Sequence, residues 1–265
     1  MPSSQNGSQS KLNLLLSHWP QGAVLTLAYL KEMGFSKQLM DKYKAGRWVA
    51  SVGNGAYRRY QDSVDWLGGL HGLQAAGLAV HAGAKTALEM LGLAHYLGPR
   101  MPRCFLLAQS GLRLPMWFKG YDWETQVLFR PTRLFQPSPD LGFTEHAHRG
   151  FMVRIASAER AALEMMHLVP DVQGFDEAYR IMENLTSLRP DLVQRLLESC
   201  QSIKAKRLFL MMAERAGHDW VDELDLKTVH LGTGKRVIVK DGVLNKKYQI
   251  TVEAESGFLD SSVNS

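Results

Sequence analysis

The chain has 265 residues, 45% of them apolar and 22% charged, enough for one large domain or two ordinary ones around a buried core. Its formal charge of +5 is modest but uneven: residues 1–98 hold nine Lys/Arg against five Asp/Glu, whereas residues 99–265 hold 22 against 21. No apolar run reaches the roughly 18 residues of a membrane-spanning helix, so no membrane association is expected. The N-terminal stretch MPSSQNGSQS is polar, carries no apolar signal region, and reads as a disordered tail over residues 1–9. Ser10 is placed to cap a helix that runs to Trp19 and stops at Pro20.

Thr26 is set to cap a second helix, LAYLKEM, with Gly34 ending it as a left-handed residue. Ser36 caps a third, KQLMDKYKA, which Gly46 closes. A capped helix, a short glycine-containing turn and another capped helix is the order of a helix-turn-helix. At about 100° per residue, Leu39, Met40 and Tyr43 form the apolar face of the third helix. Gln38, Asp41 and Ala45 centre the opposite face, with Lys37 and Lys42 on its flanks. Gln pairs bidentately with adenine and Ala meets a thymine methyl group, whereas lysines suit phosphates. The same face also reads as an ordinary solvated surface.

The next segment separates these readings. RWVASVG and AYRRY alternate apolar and polar residues around Asn54-Gly55, a strong hairpin signal. Arg47 opens the hairpin, and Arg58 and Arg59 close it. Between Ser36 and Tyr60 the cations are Lys37, Lys42, Lys44, Arg47, Arg58 and Arg59, against the single acid Asp41. A basic helix followed by a basic hairpin is the pattern of a winged helix-turn-helix, suited to a duplex with one charge per ~1.7 Å. Ser36, Lys37, Gln38, Asp41, Lys42, Lys44, Ala45, Arg47, Asn54, Arg58 and Arg59 are therefore the candidate DNA-binding residues.

Residues 62–97 predict a helix over Trp66–Ala75, a short strand near Leu78–His81 and a helix from Thr86, all scaffold in character. Gly98-Pro99 and Met101-Pro102 then break the pattern, which places a domain boundary near residue 98. CFLLAQS, LPMWF and TQVLFRPTRLF are strand-like. Helices are expected over Ser157–Val169, Gly174–Leu185, Pro190–Cys200 and Ser202–Ala216, the last stopped by Gly217. A closing hairpin is expected to pair RVIVK with YQITV through Asp241-Gly242. The whole reads as an α+β chain: a winged helix-turn-helix domain over 10–98, a mixed α+β domain over 99–253, and a frayed tail over 254–265.

No catalytic constellation emerges. Gly232-Thr-Gly-Lys235 resembles part of a phosphate loop, but Val229 stands where the first glycine belongs and Arg236 where the metal-binding hydroxyl belongs. Glu145-His146-Ala-His148 could offer two imidazoles to a metal, but no cluster completes the shell by spacing. The acids of Asp222–Asp225 form one short run without a partner set. No metal and no cofactor is expected. Cys104 and Cys200 lie far apart without ligand spacing, as befits reduced thiols in a cytoplasmic protein. Lys204, Lys206, Arg207, Lys235 and Arg236 make a second basic set, facing nucleic acid, an acidic protein or solvent.

The sequence resembles the AbiEi antitoxins of bacterial type IV toxin–antitoxin (abortive infection) systems. The resemblance is carried by LKEMGFSKQLMDKYKAGRWVASVGNGAYRR, DWLGGLHGLQ and VHAGAKTALEMLGLAHYL in the N-terminal part. In the C-terminal part it lies in SLRPDLVQRLLESCQSIKAKRLFLMMAERAGHDWVDELDLKTVHLGTGKRVIV and KYQITV, so that roughly residues 10–253 are covered. Gly22–Leu25 departs from the pattern in having no polar residue before Thr26. The resemblance implies a winged helix that binds inverted repeats in its own promoter, as a dimer or as two monomers. It also implies a C-terminal antitoxin domain that neutralises a cognate nucleotidyltransferase toxin of the AbiEii type, without requiring a stable complex. It implies no catalytic residues. Two other readings stand beside it: a nucleic-acid-processing enzyme targeted by the winged helix, and a non-catalytic adaptor that binds protein on the same scaffold.

Overall fold

The computed structural model describes residues 4–94, 103–137, 140–240 and 242–252. The expected breaks at Gly98-Pro99 and Met101-Pro102, and the expected tail at 254–265, lie outside the described residues. Helix α1 (Ser4–His18) begins earlier than the expected start at Ser10. Leu15 is fully buried and anchors this helix, and once a turn is fixed, each added residue costs little.

The punctuation of the next segment works as its residue types dictate. After β1 (Leu25–Thr26), the Thr26 hydroxyl accepts from Tyr29 N at 3.3 Å and caps α2 (Leu27–Glu32). Thr26 thus caps the helix despite the apolar run before it. Ser36 does the same for α3 (Lys37–Ala45), accepting from Leu39 N at 3.3 Å. Met40 and Tyr43 are buried beneath α3. The hairpin β2 (Val49–Gly53) and β3 (Ala56–Arg59) turns through Asn54-Gly55, with a bulge between Ser51 and Gly53. β1 adds to the free side of β3, giving the sheet order β1-β3-β2.

Helix α4 (Trp66–Ala75) starts at Asp65, whose carboxylate accepts from Gly68 N at 3.0 Å. Strand β4 (Val80–Ala82) and helix α5 (Ala84–Met90) follow. Then come β5 (Arg103–Gln109), the single-turn α6 (Met116–Lys119), β6 (Gln126–Thr132), β7 (Phe143–His148) and β8 (Phe151–Ala156). LPMWF is therefore helical and not a strand: Pro115 takes the N-cap position, and adjacent Trp117 and Phe118 are both buried, which a two-sided strand with one wet face would not allow. The β7–β8 pair was not expected from the sequence: four of the six residues of FTEHAH are polar. Among the described residues, the remaining elements are α7 (Ala158–Leu168), α8 (Phe175–Glu183), α9 (Pro190–Ser199), α10 (Ile203–Arg215), a turn of 3-10 helix (Asp219–Val221), and β9 (Arg236–Val237), β10 (Val243–Asn245) and β11 (Ile250–Val252).

The chain is α+β and forms two compact units. The first comprises 1–82, 99–132 and 145–155. It contains the three-stranded sheet and a mixed five-stranded sheet in the order β6-β5-β4-β8-β7. β4 runs antiparallel to β5 and parallel to β8, so this sheet draws strands from both sides of residue 98 and the compact units do not follow a single division there. Pro131 is tolerated because β6 is an edge strand. The second unit comprises 83–98, 133–144 and 156–265. Its core is helical, with Leu163, Met166, Val193, Leu196, Leu208, Phe209 and Met212 all fully buried.

Its small sheet has the order β10-β11-β9, with β11 antiparallel to β10 and parallel to β9. RVIVK and YQITV therefore do not form the expected hairpin. A turn falls after Asn245, whose side chain accepts from Tyr248 N at 2.9 Å. Asp241 itself lies outside the described residues. No helix among the described residues is long and apolar enough to cross a membrane.

Candidate nucleic-acid interface

Helix α3 presents its polar face to solvent. Ser36, Lys37, Gln38, Asp41, Lys42, Lys44, Ala45 and Arg47 are all exposed, as is Asn54 at the hairpin tip. None of Lys37, Lys42, Lys44 and Arg47 makes an ion pair among the described residues. The lysines of the last turn also complement the negative end of the helix dipole. Ser36 is committed to its cap and so orients the helix start.

Arg58 and Arg59 are differently employed. The Arg58 Nη1 donates to three carbonyls: Arg59 O at 3.2 Å, Tyr60 O at 2.9 Å and Asp62 O at 2.5 Å. It ties the chain leaving β3 into a tight turn. Arg59 is 37% exposed; its Nε lies 3.7 Å from the buried Asp62 carboxylate, and its Nη1 reaches Trp19 O at 3.4 Å. The same Asp62 carboxylate accepts from Gly22 N at 2.9 Å. These two arginines close the hairpin structurally, so the free cations gather on α3 and at Arg47. A spacing argument cannot distinguish a guanidinium facing solvent from one bonded to nearby carbonyls.

Sequence reasoning passed over Trp48. It is 50% exposed although it opens the hairpin beside the basic helix. The expected signal was available: Val49 must face inward, which puts its neighbour outward.

The second basic set does not form a surface. Lys206 and Arg207 are each 3% exposed. The Arg207 guanidinium donates to the carbonyls of Leu231 at 2.8 Å, Gly234 at 2.7 Å, Gln249 and Gly232, the last two at 3.1 Å. Burial, with Arg236 nearby, lowers its pKa. The Lys204 ammonium donates to the carbonyls of His167, at 2.8 Å, and of Val169. Of the five, Lys235 and Arg236 are exposed. The Gly232–Lys235 run is the loop wrapped on Arg207 and has no phosphate-loop geometry.

The other tempting motifs resolve similarly. His148 Nε2 lies 2.8 Å from Asp65 Oδ2, beside the α4 N-terminus, so this imidazole is taken by a carboxylate. Asp222 and Asp225 are exposed, and Asp225 Oδ1 accepts from Lys227 N at 3.0 Å as a turn. No group of three or more metal-ligating side chains occurs among the described residues. Both cysteines are free and buried. Burial pushes the Cys104 thiol up to about 12 and the Cys200 thiol to about 11, so neither is a ready nucleophile.

A family profile described as "Transcriptional regulator, AbiEi antitoxin N-terminal domain" matches residues 8–98. A second, described as "Transcriptional regulator, AbiEi antitoxin, Type IV TA system", matches residues 101–253. No curated protein matches the chain by sequence. Among solved structures, the crystal structure of the RV2827C protein from Mycobacterium tuberculosis is similar, with a TM-score of 0.55 at 14% identity, over 86% of this chain and 85% of that one. At that identity the likeness speaks for the fold.

Proposed function

The chain belongs to the AbiEi family of antitoxin transcriptional regulators of type IV toxin–antitoxin systems, and on that premise we propose that it represses its own promoter by binding duplex DNA through a winged helix formed by α2, α3 and the β2–β3 hairpin. The observation that carries this reading is the solvent-facing, unpaired set Lys37, Lys42, Lys44 and Arg47 around Gln38, Asp41 and Ala45 on one short element. Cations held free of ion pairs on a convex helix suit a polyanion, where each contact releases counterions. Gln38, Asp41 and Ala45 face base edges; the lysines and Arg47 hold phosphates and set the register.

The C-terminal part neutralises a cognate nucleotidyltransferase toxin of the AbiEii type, without a requirement for direct contact. The protein acts in the cytoplasm and is not an enzyme. Support for the last point is the condition of the tempting groups: His148 is bonded to Asp65, the Gly232–Lys235 loop is occupied by Arg207, and the cysteines are buried.

The decisive experiment is an electrophoretic shift of a duplex carrying the operon's promoter, against a scrambled duplex of equal composition, in rising salt. Tighter binding to the promoter, with affinity falling steeply with salt, is expected. Equal or absent binding of both duplexes overturns the repressor reading. Co-expression with an AbiEii-type nucleotidyltransferase toxin from the same operon tests the antitoxin half: growth should be restored, and an unrelieved arrest, or an operon that encodes no such toxin, rejects it.

A further inference from the structure

Gly46 does not need to be glycine for its backbone. Its φ of −78° and ψ of 3° are open to any residue. What requires glycine is space: a Cβ at this position would lie 2.9 Å from Trp48 Cδ1 and 3.2 Å from its Nε1. The indole therefore rests directly over the end of α3, the turn from which Lys42 and Lys44 project. Arg47, between them, takes the left-handed conformation with φ 57°, which swings the chain so that Trp48 can fold back onto Gly46. A costly backbone arrangement and a missing side chain both serve to seat one aromatic ring that is still half exposed.

That ring carries an unused donor. The Trp48 Nε1–H meets no acceptor among the described residues, and neither do those of Trp66 and Trp117, whereas Trp19 Nε1 is paired with Ala23 O at 2.9 Å, Trp123 Nε1 with Phe118 O at 2.8 Å and Trp220 Nε1 with Leu185 O at 2.9 Å; of the three free donors, that of Trp48 lies on the exposed ring. An apolar plate with a free N–H at its edge, next in sequence to Arg47 and seated on the helix end that carries Lys42 and Lys44, matches a sugar–phosphate backbone: the ring packs on deoxyribose while the N–H donates to a phosphate oxygen.

We propose that Trp48, seated on Gly46, is a DNA-backbone contact that docks the end of α3 against one strand of the duplex. The proposal rests on the winged-helix reading and adds to it a neutral anchor beside the cationic ones. Because no charge is lost with it, its removal weakens binding without changing the salt dependence, which separates it from the lysines.

The test uses the full chain and the same two duplexes, promoter and scrambled, with W48A, W48F and G46A. W48A should weaken binding to both by about tenfold, the scale of one lost hydrogen bond to a charged group together with its packing. W48F keeps a ring and loses the donor, and should fall between W48A and the parent. G46A keeps the tryptophan but forces its ring to shift, and should mimic W48F. All three should keep the parent's salt slope and circular dichroism spectrum. Binding of W48A and W48F within twofold of the parent overturns the proposal while leaving the repressor reading intact, and so does weakening accompanied by a lower unfolding temperature in all three variants. A parent chain that binds neither duplex overturns the repressor reading and this proposal with it.

Discussion

Arg189 grips Glu159 with two nitrogens, Nε 2.9 Å from Oε1 and Nη2 3.1 Å from Oε2. The carboxylate is 4% exposed and also accepts from Ser157 Oγ at 2.7 Å and Arg189 N at 3.1 Å, so every lone pair of a buried charge is used. It staples the start of α7 to the start of α9 inside the C-terminal unit. Burial alone would raise the Glu159 pKa, but the bonds from Arg189 and Ser157 outweigh it and hold the carboxyl below its ordinary value.

A folded-state pKa below the unfolded one stabilises the protein above the ordinary glutamate pKa of about 4.3, and the contribution is lost as pH falls through the lower folded value. R189A is therefore expected to destabilise the chain at neutral pH, by about 1–2 kcal/mol because the guanidinium is largely exposed and screened. Its stability should also fall less between neutral and acid pH than the parent's. Urea titrations at about pH 7 and about pH 4 check both, and a parallel loss of stability in the two proteins would remove Glu159 from the account.

The free cations of α3 and the tied cations of β3 should behave differently. K42A/K44A should weaken binding to promoter and scrambled duplexes alike and lower the salt slope by about 0.9 per lost contact. Q38A should instead relax preference at one or two base pairs, costing about 1–3 kcal/mol against the preferred sequence only. R58A is expected to lower the unfolding temperature, because it frees the carbonyls of Tyr60 and Asp62, with little effect on the salt slope. A steep loss of slope in R58A with unchanged stability would return that residue to the interface.

Gly68 sits where α4 crosses the backbone entering β1. A Cβ there would lie 2.0 Å from Gly22 O, and Val24 N donates to Gly68 O at 3.1 Å. Alanine is a better helix former, so on propensity alone G68A would stabilise α4 by up to about 1 kcal/mol. The contact with a fixed carbonyl reverses the sign, and a net loss of about 2–3 kcal/mol is expected from the forced shift of the strand. Thermal unfolding of G68A settles which effect wins; a raised midpoint would mean that the helix can move aside.

The elements with local grammar were readable in advance. Thr26 and Ser36 cap the helices that follow them, as their residue types lead one to expect, and α4 has the expected bounds of Trp66–Ala75, whereas α1 starts before the expected cap at Ser10. What failed depends on distant partners. The parallel pairing of β9 with β11 is not encoded in either strand's alternation, and two separated runs such as RVIVK and YQITV read equally well as a hairpin. LPMWF became a helix because both aromatics found burial at once. At the candidate interface, residue type gave Lys37, Lys42, Lys44 and Gln38 their exposed places, but exposure of Trp48 and engagement of Arg58 depend on side-chain directions that spacing does not carry.

Arg207 shows the same limit most plainly, since charge placed it on a surface and packing placed it inside. Its fork gathers the carbonyls of Leu231, Gly232, Gly234 and Gln249, joining α10 to the loop before β9 and to the turn before β11. A lysine keeps the charge but offers one point donor in place of a planar fork, and it cannot span these acceptors. R207K should therefore cost nearly as much as R207A, about 2–4 kcal/mol, because either change leaves buried carbonyls unpaired. Neither should alter the salt dependence of duplex binding, since the residue is closed to solvent. Differential scanning calorimetry and the shift series read the two consequences independently. An R207K protein with the parent's melting temperature and a weakened salt-sensitive affinity would place this guanidinium on a binding surface after all.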